Sequence, residues 1–127
     1  MEYIAYEGDK FIIEWFFNIT NKSEVLDYFE KLSENEQDKL FFLLKRMGDF
    51  GKISDKTKFR NEGDKIFAFK PKPHRFLCFF TIGNKIIITN AFHKKTDKLP
   101  KNDKKKAINN MNDYIKRAKE GIYYEKE

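Results

Sequence analysis

The chain has 127 residues, which is the size of one ordinary domain, and 40% of the residues are hydrophobic and 17% aromatic. This composition excludes a disordered chain, and no apolar stretch approaches the roughly 20 residues that cross a membrane. The net charge is +6, but residues 1–51 carry −5 and residues 52–106 carry +11. Such a split is compatible with a solvated lysine-rich surface, yet it favours a polyanion bound to the basic part.

The only cysteine, Cys78, lies within an apolar run. One cysteine forms no disulfide within the chain, so we read it as a small buried hydrophobe in a reducing compartment. The first ten residues lack the basic-then-apolar pattern of a signal peptide. We therefore predict a cytoplasmic protein that does not associate with membranes.

The first half of the chain reads as one strand followed by two helices. Residues 10–18 are rich in β-branched and aromatic side chains, which predicts a strand. Ser23 is a good N-cap for a helix over residues 24–32, and Ser33 with Glu36 forms a capping box for a second helix. Gly48 is a plausible end of that second helix. The two helices are almost contiguous, which indicates a helical hairpin.

The second half reads as three strands and a helix. A polar, basic loop over residues 51–65 precedes strands at 65–71, 75–82 and 85–92, and Gly83–Asn84 is a hairpin turn. Pro100 marks a break before a helix over residues 101–121, whose apolar stripe is Ile108, Met111, Ile115 and Ala118. We predict an α+β fold over a single domain, residues 1–127. It has an antiparallel sheet of about four strands, with the helical hairpin and the C-terminal helix packed on one face.

Basic side chains gather at the ends of the predicted strands. Lys70 ends the first of the three strands and Arg75 begins the next. The last strand stops at His93, Lys94 and Lys95. Antiparallel pairing brings these ends together, so we expect one charged cleft there, with Lys58 and Arg60 contributing from the preceding loop.

These residue types suit cleavage of an RNA phosphodiester through its own 2′-hydroxyl. That reaction needs a base, cations that stabilise the phosphorane, and an acid for the leaving oxygen. Arg75 suits the second role and His93 suits acid or base work. A lysine becomes a base only where burial or nearby cations lower its pKa. The alternatives are solvated strand-end lysines, a histidine that caps the strand, and an arginine paired with an acidic side chain.

Residues 65–118 resemble the RelE/ParE superfamily of bacterial toxins, and most closely its HigB-like, phage-derived branch. The matching features are a basic strand end, an arginine that opens an apolar strand, a glycine turn, and an aromatic residue before Lys-Lys-Thr. In this chain they are Lys70, Arg75, Gly83, Phe92 and "KKT" at 94–96. The N-terminal half matches mainly in the order of its elements.

The resemblance implies a RelE-like, microbial-RNase-like fold and a type II toxin that cuts mRNA on the ribosome and thereby inhibits translation. It implies no metal and no other cofactor, and it implies a helix-turn-helix antitoxin as partner. Carried onto this chain, the catalytic residues would be Arg75, His93, Lys94 and Lys95, and the RNA-binding residues Lys58, Arg60 and Lys70. Relatives often have arginine where Lys70 stands. Two alternatives remain open, namely a gyrase-inhibiting toxin of the ParE type and a non-catalytic RNA-binding module.

Overall fold

Six strands and three helices follow one another along the part of the chain that the computed structural model describes, residues 2–124. The strands are β1 (Ile4–Glu7), β2 (Ile12–Trp15), β3 (Phe59–Gly63), β4 (Ile66–Phe69), β5 (His74–Thr81) and β6 (Lys85–His93). The helices are α1 (Glu24–Glu30), α2 (Glu34–Phe50) and α3 (Lys101–Lys119). The α+β class is as predicted.

The strands form one sheet in the order β1-β2-β6-β5-β4-β3. The prediction of about four antiparallel strands was wrong in two respects. The sheet has two further strands, β1 and β3, each at an edge and each only four or five residues long. In addition, β2 pairs in parallel with β6, from Ile12 beside Lys85 to Trp15 beside Ile88. The sheet is therefore mixed.

Helices cover both faces of the sheet, so the predicted packing on one face was also wrong. Helices α1 and α2 bury Val25, Leu40 and Leu44 against one face, in a cluster that includes Trp15 and Phe76. Helix α3 packs on the opposite face. There it buries a second cluster, whose fully or nearly buried members include Ile66, Leu77, Phe79, Ile87, Ala107 and Met111. The strands β4, β5 and β6 are apolar on both sides because they are covered twice.

The predicted helix starts are confirmed. Ser23 accepts a hydrogen bond from the Leu26 amide, and Ser33 and Glu36 exchange the two bonds of a capping box. Gly48 does not end the second helix, which continues to Phe50 and stops at Gly51, where φ is +78°.

Gly48 has a different role in the packing of α2. Its carbonyl accepts hydrogen bonds from the amides of Lys10 and Phe11, and its Cα lies against the turn between β1 and β2. A Cβ at Gly48 would come within 2.7 Å of the Tyr6 ring, and one at Gly8 within 2.2 Å of the Gly48 carbonyl carbon. The glycine pair therefore allows the close approach of α2 to the first hairpin.

Helix α3 begins directly after Pro100, as predicted, and its predicted apolar stripe is partly wrong. Met111 is buried and Ile108 and Ala118 are partly buried, but Ile115 is 46% exposed. The inner face instead includes Ala107, Tyr114 and Arg117.

Arg117 and Tyr123 fasten the C-terminal segment to the chain after β2. The Arg117 guanidinium donates to the Phe17 carbonyl at 2.7 Å, and the Phe17 amide donates to the Tyr123 hydroxyl at 2.8 Å. The backbone of Phe17 thereby gains two partners from the opposite end of the sequence. Separately, within residues 2–124 none of the helices has the length and apolar character to cross a bilayer.

The hairpin between β5 and β6 is confirmed. Gly83 and Asn84 have φ values of +79° and +56°, and Thr81 pairs with Lys85 across the turn. Cys78 is a buried free thiol in β5, and burial raises its pKa. The residue is a core side chain, which agrees with its reading as a small hydrophobe.

Candidate phosphate-binding site

The register of the sheet brings four cationic side chains to one end of it. Arg60 lies on β3 opposite Ala68 of β4, and Lys70 directly follows β4. Arg75 lies on β5 opposite Phe92 of β6, and Lys94 directly follows β6. Because side chains alternate along a strand, these positions all fall on the side of the sheet that carries α3.

These four cations line one depression of about 170 Å³, together with a fifth cation, Lys98. Phe92 and Leu99 supply apolar surface to it. The remaining lining residues come from β3 and from the loop before α3, and they are Glu62, Thr96 and Asp97. The predicted meeting of strand ends at a charged cleft therefore holds for Arg60, Lys70, Arg75 and Lys94.

Arg75 is held in place within this depression. Its side chain is only 6% exposed, and a guanidinium nitrogen donates to the His74 carbonyl at 3.0 Å. Within residues 2–124 no carboxylate lies at ion-pairing distance from the Arg75 guanidinium. The two carboxylates of the depression pair with other cations, Glu62 with Arg60 and Asp97 with Lys94. Burial lowers the pKa of Arg75 from its ordinary value, although the group stays a cation at neutral pH. A fixed arginine whose remaining donors face a depression suits a phosphate group.

Lys70 has the most perturbed ammonium group of the depression. Burial lowers its pKa, the nearby charges of Arg75, Arg60 and Lys94 lower it further, and Glu62 opposes the shift. Its Nζ donates to the Lys56 carbonyl at 3.1 Å. Burial and neighbouring cations are the two effects that favour the neutral form of a lysine.

Two carboxylates in the depression were not anticipated from the sequence. Glu62 lies 3.4 Å from the Arg60 Nε, and Asp97 lies 3.1 Å from the Lys94 Nζ. Residues 59–63 are too polar and too short to be recognised as a strand, so the inward position of Glu62 could not be read. Asp97 lies in a loop, where no periodicity exists to reveal its direction.

Three predicted site residues lie outside the depression. His93 is exposed, and its ring packs edge-on against that of His74 with 5.4 Å between centroids. The alternation of β6 explains this placement, because Phe92 and Lys94 face α3 while His93 faces the other side. Lys95 is exposed beyond the strand, and Lys58 lines a separate groove beside α2. Their functional roles stay predictions.

A buried histidine, His74, directly precedes Arg75 in β5. The His74 side chain is 7% exposed; the Tyr28 hydroxyl lies 2.6 Å from its Nδ1, and the Glu36 carboxylate contacts its Nε2. Both ring nitrogens of His74 therefore have a hydrogen-bonding partner. The contact with His74 and the bonds to Ser33 hold the pKa of Glu36 at about 2. This network joins α1, α2 and β5 next to the carbonyl that orients Arg75, and the sequence alone gave no reason to connect the three residues.

The described residues contain no group of three or more His, Cys, Asp or Glu side chains placed to hold a metal ion; the range searched is 2–124. The ionisable side chains that line the depression are those of arginine, lysine and two ion-paired carboxylates.

Comparison with known families gives one match. A family model described as "Phage derived protein Gp49-like (DUF891)" matches residues 27–112. The matched range runs from α1 into α3 and contains all five cations of the depression. No curated protein matches the chain.

Proposed function

The chain belongs to the family of phage-derived Gp49-like proteins, a toxin-like family, and from this premise we propose that it is the toxin of a type II toxin–antitoxin pair. We further propose that it acts as a RelE/HigB-like endoribonuclease on mRNA, in the cytoplasm, and so inhibits translation. The substrate is message bound to the ribosome. The partner is a helix-turn-helix antitoxin.

The observation that carries this proposal is the grouping of Arg60, Lys70, Arg75 and Lys94 around one depression. Five cations and two carboxylates line this small volume, which leaves an excess of three positive charges, and an anion is attracted to that excess. A phosphodiester supplies one negative charge and two oxygens that fit an arginine fork. The depression is therefore better suited to a nucleic-acid backbone than to an uncharged ligand.

The reaction we propose is transesterification at one phosphorus atom. Neutral Lys70 accepts the proton of the RNA 2′-hydroxyl, and the 2′ oxygen attacks the adjacent phosphorus. Arg75 and Arg60 stabilise the negative charge that builds on the non-bridging oxygens. The bond to the 5′ oxygen breaks, and the Lys94 ammonium donates a proton to that oxygen. The products are a 2′,3′-cyclic phosphate and a 5′-hydroxyl.

This assignment gives His93 and Lys95 no part in the chemical step. The ring of His93 lies against His74 on the other side of the sheet from the depression. Lys94, which lines the depression, takes the acid role that the sequence suggested for His93. Lys95 is left to attract the RNA backbone by its charge.

The test is cleavage of a defined mRNA by the purified protein, with and without ribosomes, followed by mapping of the new 5′ ends. We expect Arg75→Lys and Lys94→Ala to lower the cleavage rate by roughly 100- to 1000-fold, the range found when a transition-state donor is removed. Lys119→Ala, at the far end of α3, is the matched control and should cleave like the parent protein.

A supercoiling assay with gyrase runs beside the cleavage assay. Loss of supercoiling without RNA cleavage would replace the nuclease by a gyrase inhibitor. Growth inhibition that survives both Arg75→Lys and Lys94→Ala would leave only a binding function. Either result contradicts the proposed activity.

A further inference from the structure

A second concave surface lies beside the depression and shares Lys70 with it. This groove has a volume of about 650 Å³ and runs between α2 and the segments at residues 58 and 70–72. Its walls include the side chains of Phe42 from α2 and of Lys58 and Lys72 from the sheet side. Lys70 lines both spaces, so the depression and the groove adjoin at this residue, where the sheet ends.

The groove is strongly basic. Four lysines, among them Lys39 and Lys72, line it together with one aspartate, Asp38, within the part of the chain that the structure describes. Across residues 2–124, neither Lys39 nor Lys72 takes part in an ion pair. Lysines without carboxylate partners along a groove complement the phosphates of a nucleic-acid strand.

An aromatic ring stands open at the same place. Phe42 is 62% exposed although it lies on a helix whose neighbours Leu43 and Leu44 are buried. The Phe42 ring therefore contributes little to the hydrophobic core. An exposed ring beside unpaired lysines is the combination that binds single-stranded nucleic acid, since a base stacks on the ring while the backbone follows the charges.

The groove ends at an acidic border. Glu34 and Asp38, with Ser33 and Asn35, line the surface directly beyond it, and Asn35 and Asp38 belong to both. Carboxylates repel a phosphate backbone, so this border limits the strand to the stretch between Lys70 and Phe42.

We propose that this groove binds the single-stranded RNA that flanks the scissile phosphate, with one base stacked on Phe42 and the backbone held by Lys58 and Lys72. The inference rests on the proposed function, because it follows the same RNA strand out of the depression. The basic walls and the continuity through Lys70 favour RNA over a protein segment as the occupant.

The test uses fluorescence anisotropy with 2′-O-methyl RNA, which binds like RNA but has no free 2′-hydroxyl and is not cut. A dinucleotide fills the depression alone, and an octanucleotide reaches the groove. We expect the parent protein to bind the octanucleotide roughly tenfold more tightly or better. Phe42→Ala should weaken octanucleotide binding by about tenfold, the loss expected for one stacked base, and should weaken dinucleotide binding less.

Two matched controls separate the groove from general effects. Phe50→Ala removes another exposed ring, from the end of α2, and Lys52→Ala removes an exposed lysine outside the groove. Both should bind the octanucleotide like the parent protein. Lys72→Ala should weaken it and reduce the slope of log affinity against log salt by about 0.7.

The outcomes distinguish the groove from the nuclease. If neither Phe42→Ala nor Lys72→Ala changes octanucleotide binding, the groove proposal is overturned. A protein segment is then the alternative occupant of the groove. If message is still cut, and Arg75→Lys abolishes the cutting, the proposed function stands without the groove. If Phe42→Ala weakens binding but no message is cut, the groove is an RNA site and the nuclease assignment fails.

Discussion

Lys70 is the residue at which the geometry of the site most directly limits its chemistry. Its ammonium is partly buried, and Arg60, Arg75 and Lys94 all disfavour its charge. The direction of the resulting pKa shift is downward, so the neutral amine becomes available at a lower pH than for a free lysine. A base of this kind is active above its own pKa and inactive below it.

The rate of RNA cleavage should therefore rise with pH as Lys70 loses its proton. Lys70→Arg keeps the positive charge but cannot release a proton near neutral pH. We expect this variant to lose the rising limb of the pH profile and roughly 100-fold or more of the maximum rate. Single-turnover cleavage measured across neutral and alkaline pH checks this. A rising limb that persists in Lys70→Arg would assign the base to another group, with Glu62 the nearest carboxylate candidate in the depression.

At the scale of single elements, the start of α3 carries the wrong charges for a helix. Its first turn contains Lys101 and Lys104 together with Asp103, and Pro100 provides no side-chain cap. Positive charges at a helix N-terminus oppose the helix dipole. The preceding residues Lys98 and Leu99 line the depression, so Lys101 and the positive end of the dipole follow the site by two or three residues along the chain, while Lys104 pairs with Asp64.

Lys101→Glu should therefore move stability and RNA binding in opposite directions. We expect the free energy of unfolding to rise by about 0.3–1 kcal/mol, since the new charge complements the dipole. RNA affinity should fall, because a cation near the depression becomes an anion. Urea unfolding and anisotropy with the 2′-O-methyl octanucleotide measure the two effects. Lys119→Glu, in the last turn of α3, is the matched control, and it should lower the free energy of unfolding while RNA affinity is unchanged. A fall in both the free energy of unfolding and the RNA affinity of Lys101→Glu would contradict this account.

The elements that the sequence predicted well are those with a strong local pattern. Helix α2 has a capping box and a regular apolar stripe, and β5 and β6 are long apolar runs joined by Gly83 and Asn84. The edge strands β1 and β3 have neither feature, because an edge strand can be short and polar. The parallel pairing of β2 with β6 joins segments about 70 residues apart, and no local pattern encodes it.

The site was predictable to the extent that it depends on strand ends. Antiparallel neighbours bring Lys70, Arg75 and Lys94 together whatever the exact register, so their convergence could be inferred. The side of the sheet that each residue faces depends on the register residue by residue. Moving by a single residue turns a side chain to the other face, which is why His93 was grouped with Lys94 although the two point apart.

At the scale of the whole molecule, the Tyr28–His74–Glu36 network is the polar contact that joins α1, α2 and the sheet. The pKa of Glu36 is lowered from 4.5 to about 2 in the folded protein, mainly by its bond to His74. A carboxylate with a depressed pKa stabilises the fold above its unfolded pKa. That contribution is lost as the pH falls through the folded value.

Acid should therefore destabilise the protein through Glu36 as the pH falls from about 4.5 to about 2. In Glu36→Gln the midpoint of urea unfolding should be lower at neutral pH and should fall less over this acid range. Intrinsic fluorescence of Trp15 reports the unfolding. Glu34→Gln, an exposed carboxylate in the same helical turn, is the control and should follow the parent protein. If the midpoint of urea unfolding falls equally in Glu36→Gln and in the parent protein over this range, the network does not contribute to acid stability.

The parallel pairing of β2 with β6 also determines when the protein becomes complete during its own synthesis. Residues 12–15 leave the ribosome early and pair first with β1, but they gain their second neighbour in the sheet only when residues 85–88 have been made. Lys94 and Phe92 emerge later still, so a nascent chain that has reached only β5 holds Arg75 without the opposite wall of its depression. We expect the growing polypeptide to be harmless to the ribosome that makes it, and to become competent only near the end of translation.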